Sequence, residues 1–304
     1  MARMARLKSA YAIFHIMCKS ISEVNLFRDD ADKEMYLSLV KKYKNLFNVK
    51  IYGYCLMDNH SHLLIDANGA DISKVMHGIN SSYAMYFNKK YKREGPLFKD
   101  RFKSKIVDSD RYLRTVSLYI HNNPTDIGEF RNSPERYAFS SLGIYIGKRR
   151  DHYKLVDYGF VMGFFGNDIA IARKNYYSHV FGCTDEKLKE EFEFQDKKTE
   201  YRSGKKLIVR NFTSEDVLEF IASKMNISKF HLYMKYSRKF VVARSLTVVL
   251  MRSLCNFKFS DISSVLGNIT QSRLSALSNI GIELIISDKR YENIIGEFIE
   301  FYGQ

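Results

Sequence analysis

The stretch Leu56-Met57-Asp58-Asn59-His60-Ser61-His62-Leu63-Leu64-Ile65 constrains the chain more than any other. Asp58-Asn59 is a turn pair. It separates two apolar runs, so Val49 to Met57 is expected to form one strand and His60 to Asp66 to fold back as the next. Strand side chains alternate between faces, so His60 and His62 project from the same side. Two imidazoles directed into one space are half of a divalent-metal site, and such a site needs a third donor.

The flanking sequence supplies a sheet for this hairpin. Ala10 to Cys18 is apolar, aromatic and β-branched with no turn former inside, which predicts an earlier buried strand. Asp29-Asp30-Ala31-Asp32 offers capping carboxylates, and Met35, Leu39, Val40, Tyr43 and Phe47 follow at helical spacing, so a helix is expected over 31–47. A second helix is expected over 72–91, with Ile72, Val75, Met76, Ile79 and Tyr83 on one face and Gly95-Pro96 beyond its basic end. From Phe98 to Val107 apolar and basic residues alternate, as in a strand. The order βαββαβ predicts an α+β fold of the ferredoxin-like kind, an antiparallel sheet with helices packed on it.

A third helix comes directly after the fourth strand. Ser109 is a good N-cap, and Pro124 stops the helix because a residue preceding proline is pushed out of helical geometry. Tyr119 and Asn123 are four apart and share a face. One element therefore offers a candidate nucleophile and a candidate third metal donor, provided it packs beside the histidine strand.

Asn-His-Ser-His-Leu-Leu (59–64), Gly-Pro-Leu-Phe-Lys-Asp-Arg-Phe-Lys-Ser (95–104) and Tyr-Ile-His-Asn-Asn-Pro (119–124) together resemble the signature blocks of single-tyrosine HUH transposases, and in particular the REP-associated tyrosine transposases. The resemblance covers about residues 7–145, including Ser81-Ser82-Tyr83 to Asn88 and Phe139-Ser140-Ser141. It implies that His60, His62 and Asn123 hold Mg²⁺ or Mn²⁺ and that Tyr119 attacks single-stranded DNA, leaving a 5′-phosphotyrosine and a 3′-OH. A phenol of ordinary pKa near ~10 is a poor nucleophile at neutral pH, and a cation on the scissile phosphate offsets this. Two positions depart from the pattern. Ser61 stands where the family has a hydrophobic residue, on the side away from the metal, and Ser20-Ile21-Ser22-Glu23-Val24 replaces an Arg-Gly-Asn type segment.

Charge agrees with a polyanionic partner. The net charge of the 304 residues is +14, and residues 1–150 carry 26 Lys and Arg against 15 Asp and Glu. Nucleic acid is favoured over membrane because no basic amphipathic helix or lipidation signal is present. Lys89, Lys90, Lys92, Arg93, Lys99, Arg101, Lys103 and Lys105 cluster around Gly95-Pro96 as a candidate DNA-backbone track. His121 is read as a surface or phosphate-facing group, and His15 and His77 as core or rim residues. Cys18, Cys55, Cys183 and Cys255 are scattered without a CxxC pair, which predicts a reduced, cytoplasmic setting. No signal peptide or membrane-spanning run is evident.

The three expected parts are a catalytic domain over 1–150, a connecting segment over 151–210 with a charged linker from Asp185 to Lys206, and a helical domain over 211–304. In the last, Thr213-Ser214-Glu215-Asp216 reads as a capping box opening Val217–Met225, and Lys239 to Cys255 as a long helix. A short helix over 259–266 ended by Gly267, then a new start at Thr270, is a helix-turn-helix pattern with Gln271, Ser272 and Arg273 as reading residues. Through Ala243-Arg244-Ser245 and Asp-Ile-Ser-Ser-Val-Leu-Gly this part is similar to the duplex-binding C-terminal domain of the bacterial initiator DnaA. The expected partners are single-stranded and hairpin DNA, with duplex DNA on the last domain, for a monomer or a homodimer. The competing readings are a DNA-binding regulator with an idle catalytic domain and an RNA-binding module. The absence of an RNP1 aromatic pattern disfavours the latter.

Overall fold

The computed structural model describes residues 12–21, 24–184, 212–234, 237–267 and 269–302. The chain divides into two compact units, residues 1–41 with 49–206 and residues 42–48 with 207–304.

The first unit is built on four strands, β1 (Ile13–Lys19), β2 (Lys50–Met57), β3 (His60–Asp66) and β4 (Lys103–Ile106), in the spatial order β2-β3-β1-β4. Every neighbouring pair is antiparallel. Helices α1 (Asp30–Phe47), α2 (Ile72–Lys90) and α3 (Asp110–Asn122) complete the βαββαβ order with its added helix, so the α+β ferredoxin-like expectation holds. Met57 pairs with His60 across Asp58-Asn59, the shortest hairpin the turn pair allows. Asp71 caps α2 by accepting from the Ser73 N–H at 2.9 Å, and Ser109 caps α3 by accepting from the Tyr112 N–H at 3.1 Å.

Alternation gives the sheet two unlike faces. One packs on α1 and α2: the Ser61 hydroxyl donates to Tyr36 Oη at 3.4 Å, and the Asn80 amide donates to Cys18 Sγ at 3.3 Å. The departure at position 61 thus points where the sequence placed it, into the helix-covered side. The other face carries His15, Met17, His60 and His62 toward α3.

Two boundaries differ from expectation. The strand expected over Phe98–Val107 is broken: Ser20 and Phe98 form an isolated bridge, the Lys99 N–H donates to the Lys19 carbonyl at 3.0 Å, and pairing resumes only at Lys103. Asp100 and Arg101 leave the ladder between these two pairings. The strand expected from Ala10 begins at Ile13, and Ala10 and Tyr11 lie outside the described residues, as do Ser22 and Glu23.

The segment read as connecting, 151–210, is not all connector. Val156 bridges Ile51 of β2, and the Asp157 N–H donates to the Ile51 carbonyl at 2.7 Å. Together with the Ser140–Cys55 bridge and α4 (Leu142–Tyr145), this covers the edge of β2. Helices α5 (Gly159–Met162) and α6 (Ile169–Val180) then bury Val161, Met162, Ala172, Tyr176 and Val180. Rings decide this packing, Tyr176 lying 4.9 Å from Tyr145 and 4.8 Å from Phe165. The charged stretch from Asp185 to Lys206 lies outside the described residues.

The second unit is helical: α7 (Ser214–Lys224), α8 (Phe230–Tyr233), α9 (Val241–Leu254), α10 (Phe259–Val265), α11 (Gln271–Ser287) and α12 (Ile294–Tyr302). Thr213 and Asp216 form the reciprocal capping box that opens α7. Gly267, at φ +81°, ends α10, and Thr270 caps α11 by accepting from the Arg273 N–H at 3.3 Å. Helices α9 and α11 cross closely at Gly281, where an added Cβ would stand 2.5 Å from the Ser245 carbonyl oxygen. Among the described residues no helix is long and apolar enough to cross a membrane.

Candidate active site

The register of β1 against β3 and the packing of α3 bring the predicted side chains together. His60 and His62 lie edge to face with ring centroids 4.9 Å apart. The Tyr119 ring meets His62 edge to face at 5.6 Å. Tyr119 is half-buried, whereas Leu113, Val116 and Ile120 on the same helix are sealed in the core. Amphipathicity therefore anchors α3 and leaves the phenol at the boundary.

Each candidate donor is oriented by a second contact. His60 Nδ1 is 2.6 Å from Asn59 Oδ1 in the turn. His62 Nδ1 is 3.0 Å from Nε2 of His15. Asn123 donates its amide N–H to the Tyr119 carbonyl at 2.8 Å, which satisfies the last turn of α3 and leaves the amide oxygen as its remaining acceptor. The Asn123 side chain is also the hydrogen-bonding neighbour of His60.

Electrostatics keep these rings neutral. Burial pushes the His62 imidazolium well below its ordinary range, with His15 and His60 adding in the same direction. Burial also lowers His60, opposed by its hydrogen bond with Asn123. His15 is lowered to about 3, by burial first and by Lys105 second. Neutral imidazoles carry the lone pair that a metal requires. Among the described residues no group of three or more His, Cys, Asp or Glu side chains could hold a metal ion, so a third side-chain donor beside His60 and His62 would have to be of another type, as the Asn123 carboxamide is. Two imidazole nitrogens and an amide oxygen suit a hard divalent cation with open positions for phosphate oxygens and water.

His60 and His62 open onto a cavity of about 490 Å³ lined also by His15, Met17 and Tyr119 and by the charged Lys19, Lys99, Asp100, Arg101 and Lys103; Asn123 is not in this lining. The pairing of Leu97 and Lys99 with the end of β1 holds the last group there. Of the eight cations expected to form a DNA track, Lys99, Arg101 and Lys103 line this cavity. Lys105 stands over the Tyr112 ring at 4.8 Å, Arg93 donates to Asn88 at 3.3 Å, and Lys89 and Lys92 are exposed outside the cavity lining. Lys90 is different. Its ammonium is held by Asp29 at 2.8 Å and Asp32 at 2.7 Å, so its charge is paired within the protein.

Two histidines also depart from expectation. His121 is not at the surface: it is fully buried, with Nδ1 2.6 Å from Tyr176 Oη and Nε2 2.6 Å from Ser141 Oγ. His15 is buried as expected of a core residue, but at the site itself. Sequence reasoning missed His15 and Lys19 as site residues, and the signal that could have found them was β1 alternation, which puts both on the face of Met17. In the second unit Gln271, Ser272 and Arg273 are all exposed on the first turn of α11.

Comparison with known proteins bears on the first unit. No curated protein matches the chain. A solved structure of a REP-associated tyrosine transposase bound to a REP hairpin is similar at 14% identity and a TM-score of 0.42, over 49% of this chain and 87% of that one. Residues 8–123 match the family model of IS200-like transposases, and this segment holds every side chain described around His62.

Proposed function

We propose that the chain is a metal-dependent endonuclease and strand transferase acting on single-stranded DNA, at repeats that fold into hairpins. The observation that carries this reading is the Tyr119 ring against His62, beside His60 and Asn123, in a cavity lined by basic residues. The match of residues 8–123 to the IS200-like transposases favours DNA cleavage and joining as the class of reaction. His60, His62 and Asn123 would hold Mg²⁺ or Mn²⁺, which when bound would polarise the scissile phosphate.

The chain's own residues would do the rest. Lys99, Arg101 and Lys103 draw the backbone into the cavity and neutralise the flanking phosphates. Packing of α3 holds the Tyr119 oxygen at the cavity wall. That oxygen bonds to phosphorus as its proton passes to water, the P–O3′ bond breaks, and the 3′ oxygen takes up a proton. The product is a 5′-phosphotyrosine with a 3′-OH on the other fragment. Attack by a 3′-OH on that phosphotyrosine reverses the exchange and joins strands without ATP. In the second unit, the exposed start of α11 following α10 and Gly267 is suited to enter a duplex major groove through Gln271, Ser272 and Arg273.

The test is a labelled hairpin oligonucleotide incubated with the full chain and Mn²⁺. A covalent protein–DNA adduct is expected, and Tyr119→Phe should lose it. An equal yield of adduct from that variant would remove Tyr119 from the mechanism. Tight binding with no adduct under any metal would leave the regulator in its place.

A further inference from the structure

One buried ionisable group at the site has no part in the reaction just described. His15 is 1% exposed and reaches the cavity from β1, opposite Leu64 and therefore diagonal to His62 across the β1–β3 ladder. Its ring stacks on that of His62, with centroids 5.2 Å apart and planes 22° from parallel. The Nε2–Nδ1 separation of 3.0 Å is that of a hydrogen bond.

Geometry assigns the direction of this bond. A neutral imidazole has one N–H and one lone pair, and an imidazole that holds a metal through Nε2 must carry its proton on Nδ1. His62 Nδ1 is the nitrogen turned to His15, so Nε2 is the one left for a cation beside His60. We infer that His15 is a positioning residue for the metal site: its Nε2 accepts the His62 Nδ1–H, which fixes both the tautomer and the ring plane of His62. The inference rests on His60, His62 and Asn123 being the metal-holding set. Partners that fix a ligating ring in this way are most often carboxylates or backbone carbonyls. Here the same task falls to a second neutral ring, which adds no buried charge beside the phenol 6.1 Å away.

The competing explanation is that His15 only fills space between β1 and α3, and a phenyl ring would do that equally well. The full chain, without DNA, is titrated with Mn²⁺ by calorimetry as wild type, His15→Phe and His15→Gln. The glutamine amide oxygen reaches about where the imidazole Nε2 stands and can accept the same hydrogen bond. Mn²⁺ affinity should fall about 10–100-fold in His15→Phe and stay within about threefold of wild type in His15→Gln. Wild-type affinity in His15→Phe would overturn the proposal, as would equal losses in both variants.

Nitrogen-15 spectra of the metal-free wild-type chain provide a second readout that needs no variant to fold. The His62 proton is expected on Nδ1, and a proton on Nε2 would overturn the positioning role. The two readings fail separately. A wild-type chain that takes up no Mn²⁺ removes the metal set and the His15 role that depends on it. Mn²⁺ uptake with His62 in the other tautomer removes the His15 role alone.

Discussion

The two faces of the one sheet handle buried polar groups in opposite ways. On the side of α1 and α2, Cys18, Ser61, Tyr36 and Asn80 hydrogen-bond among themselves, with Tyr83 donating to the Leu26 carbonyl at 2.7 Å, and all but Asn80 are fully buried. On the side of α3, His15 and His62 are nearly as buried, but they hydrogen-bond to each other at the wall of a cavity. The first arrangement closes a network and fixes a core. The second places polar rings at the wall of a cavity. Adjacent residues 61 and 62 serve these two ends because a strand reverses direction at every step.

The largest effect should come from setting the faces against each other. Leu63, fully buried on the helix-covered side, should cost about 2–5 kcal/mol when replaced by alanine. Denaturant unfolding measures this, and the fraction that stays folded should still form adduct. His60→Ala should do the reverse, abolishing the metal-dependent adduct while moving the unfolding midpoint little, because its mapped side-chain partners, Asn59 and Asn123, are both retained. If His60→Ala unfolded the chain as Leu63→Ala does, the two faces would not differ in kind.

How much of this was open to inspection in the sequence follows the same divide between near and far. Asp58-Asn59, the Ser109 cap, the Thr213 capping box and the pairing of Tyr119 with Asn123 are local, and each was legible because turn chemistry and helical spacing act within a few residues. The convergence of Tyr119 with His62 needed the resemblance, since nothing in the local pattern of the 56 intervening positions specifies which sheet face α3 will cover. What escaped was longer-range. His15 meets His62 only through strand pairing, His121 is buried by Ser141 and Tyr176 at separations of 20 and 55 residues, and Lys90 is taken by Asp29 from 61 residues away. A charged or imidazole side chain looks the same in sequence whether its partner is solvent, DNA or a distant carboxylate.

That last ambiguity gives the next test, of intermediate size. Lys103 lines the cavity, while Lys90 is held by two carboxylates. Binding of a single-stranded oligonucleotide, followed by fluorescence anisotropy from low to moderate salt, should show Lys103→Ala weakening affinity and reducing the salt slope by about 0.7. Lys90→Ala should leave the slope unchanged. Equal slopes lost in both would return Lys90 to the DNA track.

The smallest expected effect concerns what Lys90 does instead. The Lys90 hydrogen bond is the main reason that the Asp29 carboxyl titrates below its ordinary value, with the backbone of Asp32 and the Tyr91 hydroxyl acting in the same direction. A carboxylate depressed in the folded state contributes stability above its unfolded pKa, and loses that contribution as pH falls through the folded one. Lys90→Met should therefore melt below wild type at neutral pH, and the part of the loss that comes from Asp29 should be small because that carboxyl is half exposed. The gap should narrow once pH drops below about 4 and close toward about 2, where the carboxyl is protonated with or without the lysine. The lysine also stands over the Tyr86 and Tyr91 rings at 5.6 and 5.0 Å. A gap that persisted undiminished into acid would assign its contribution to packing on those rings, and the ion pair would then not be what withdraws Lys90 from the DNA surface.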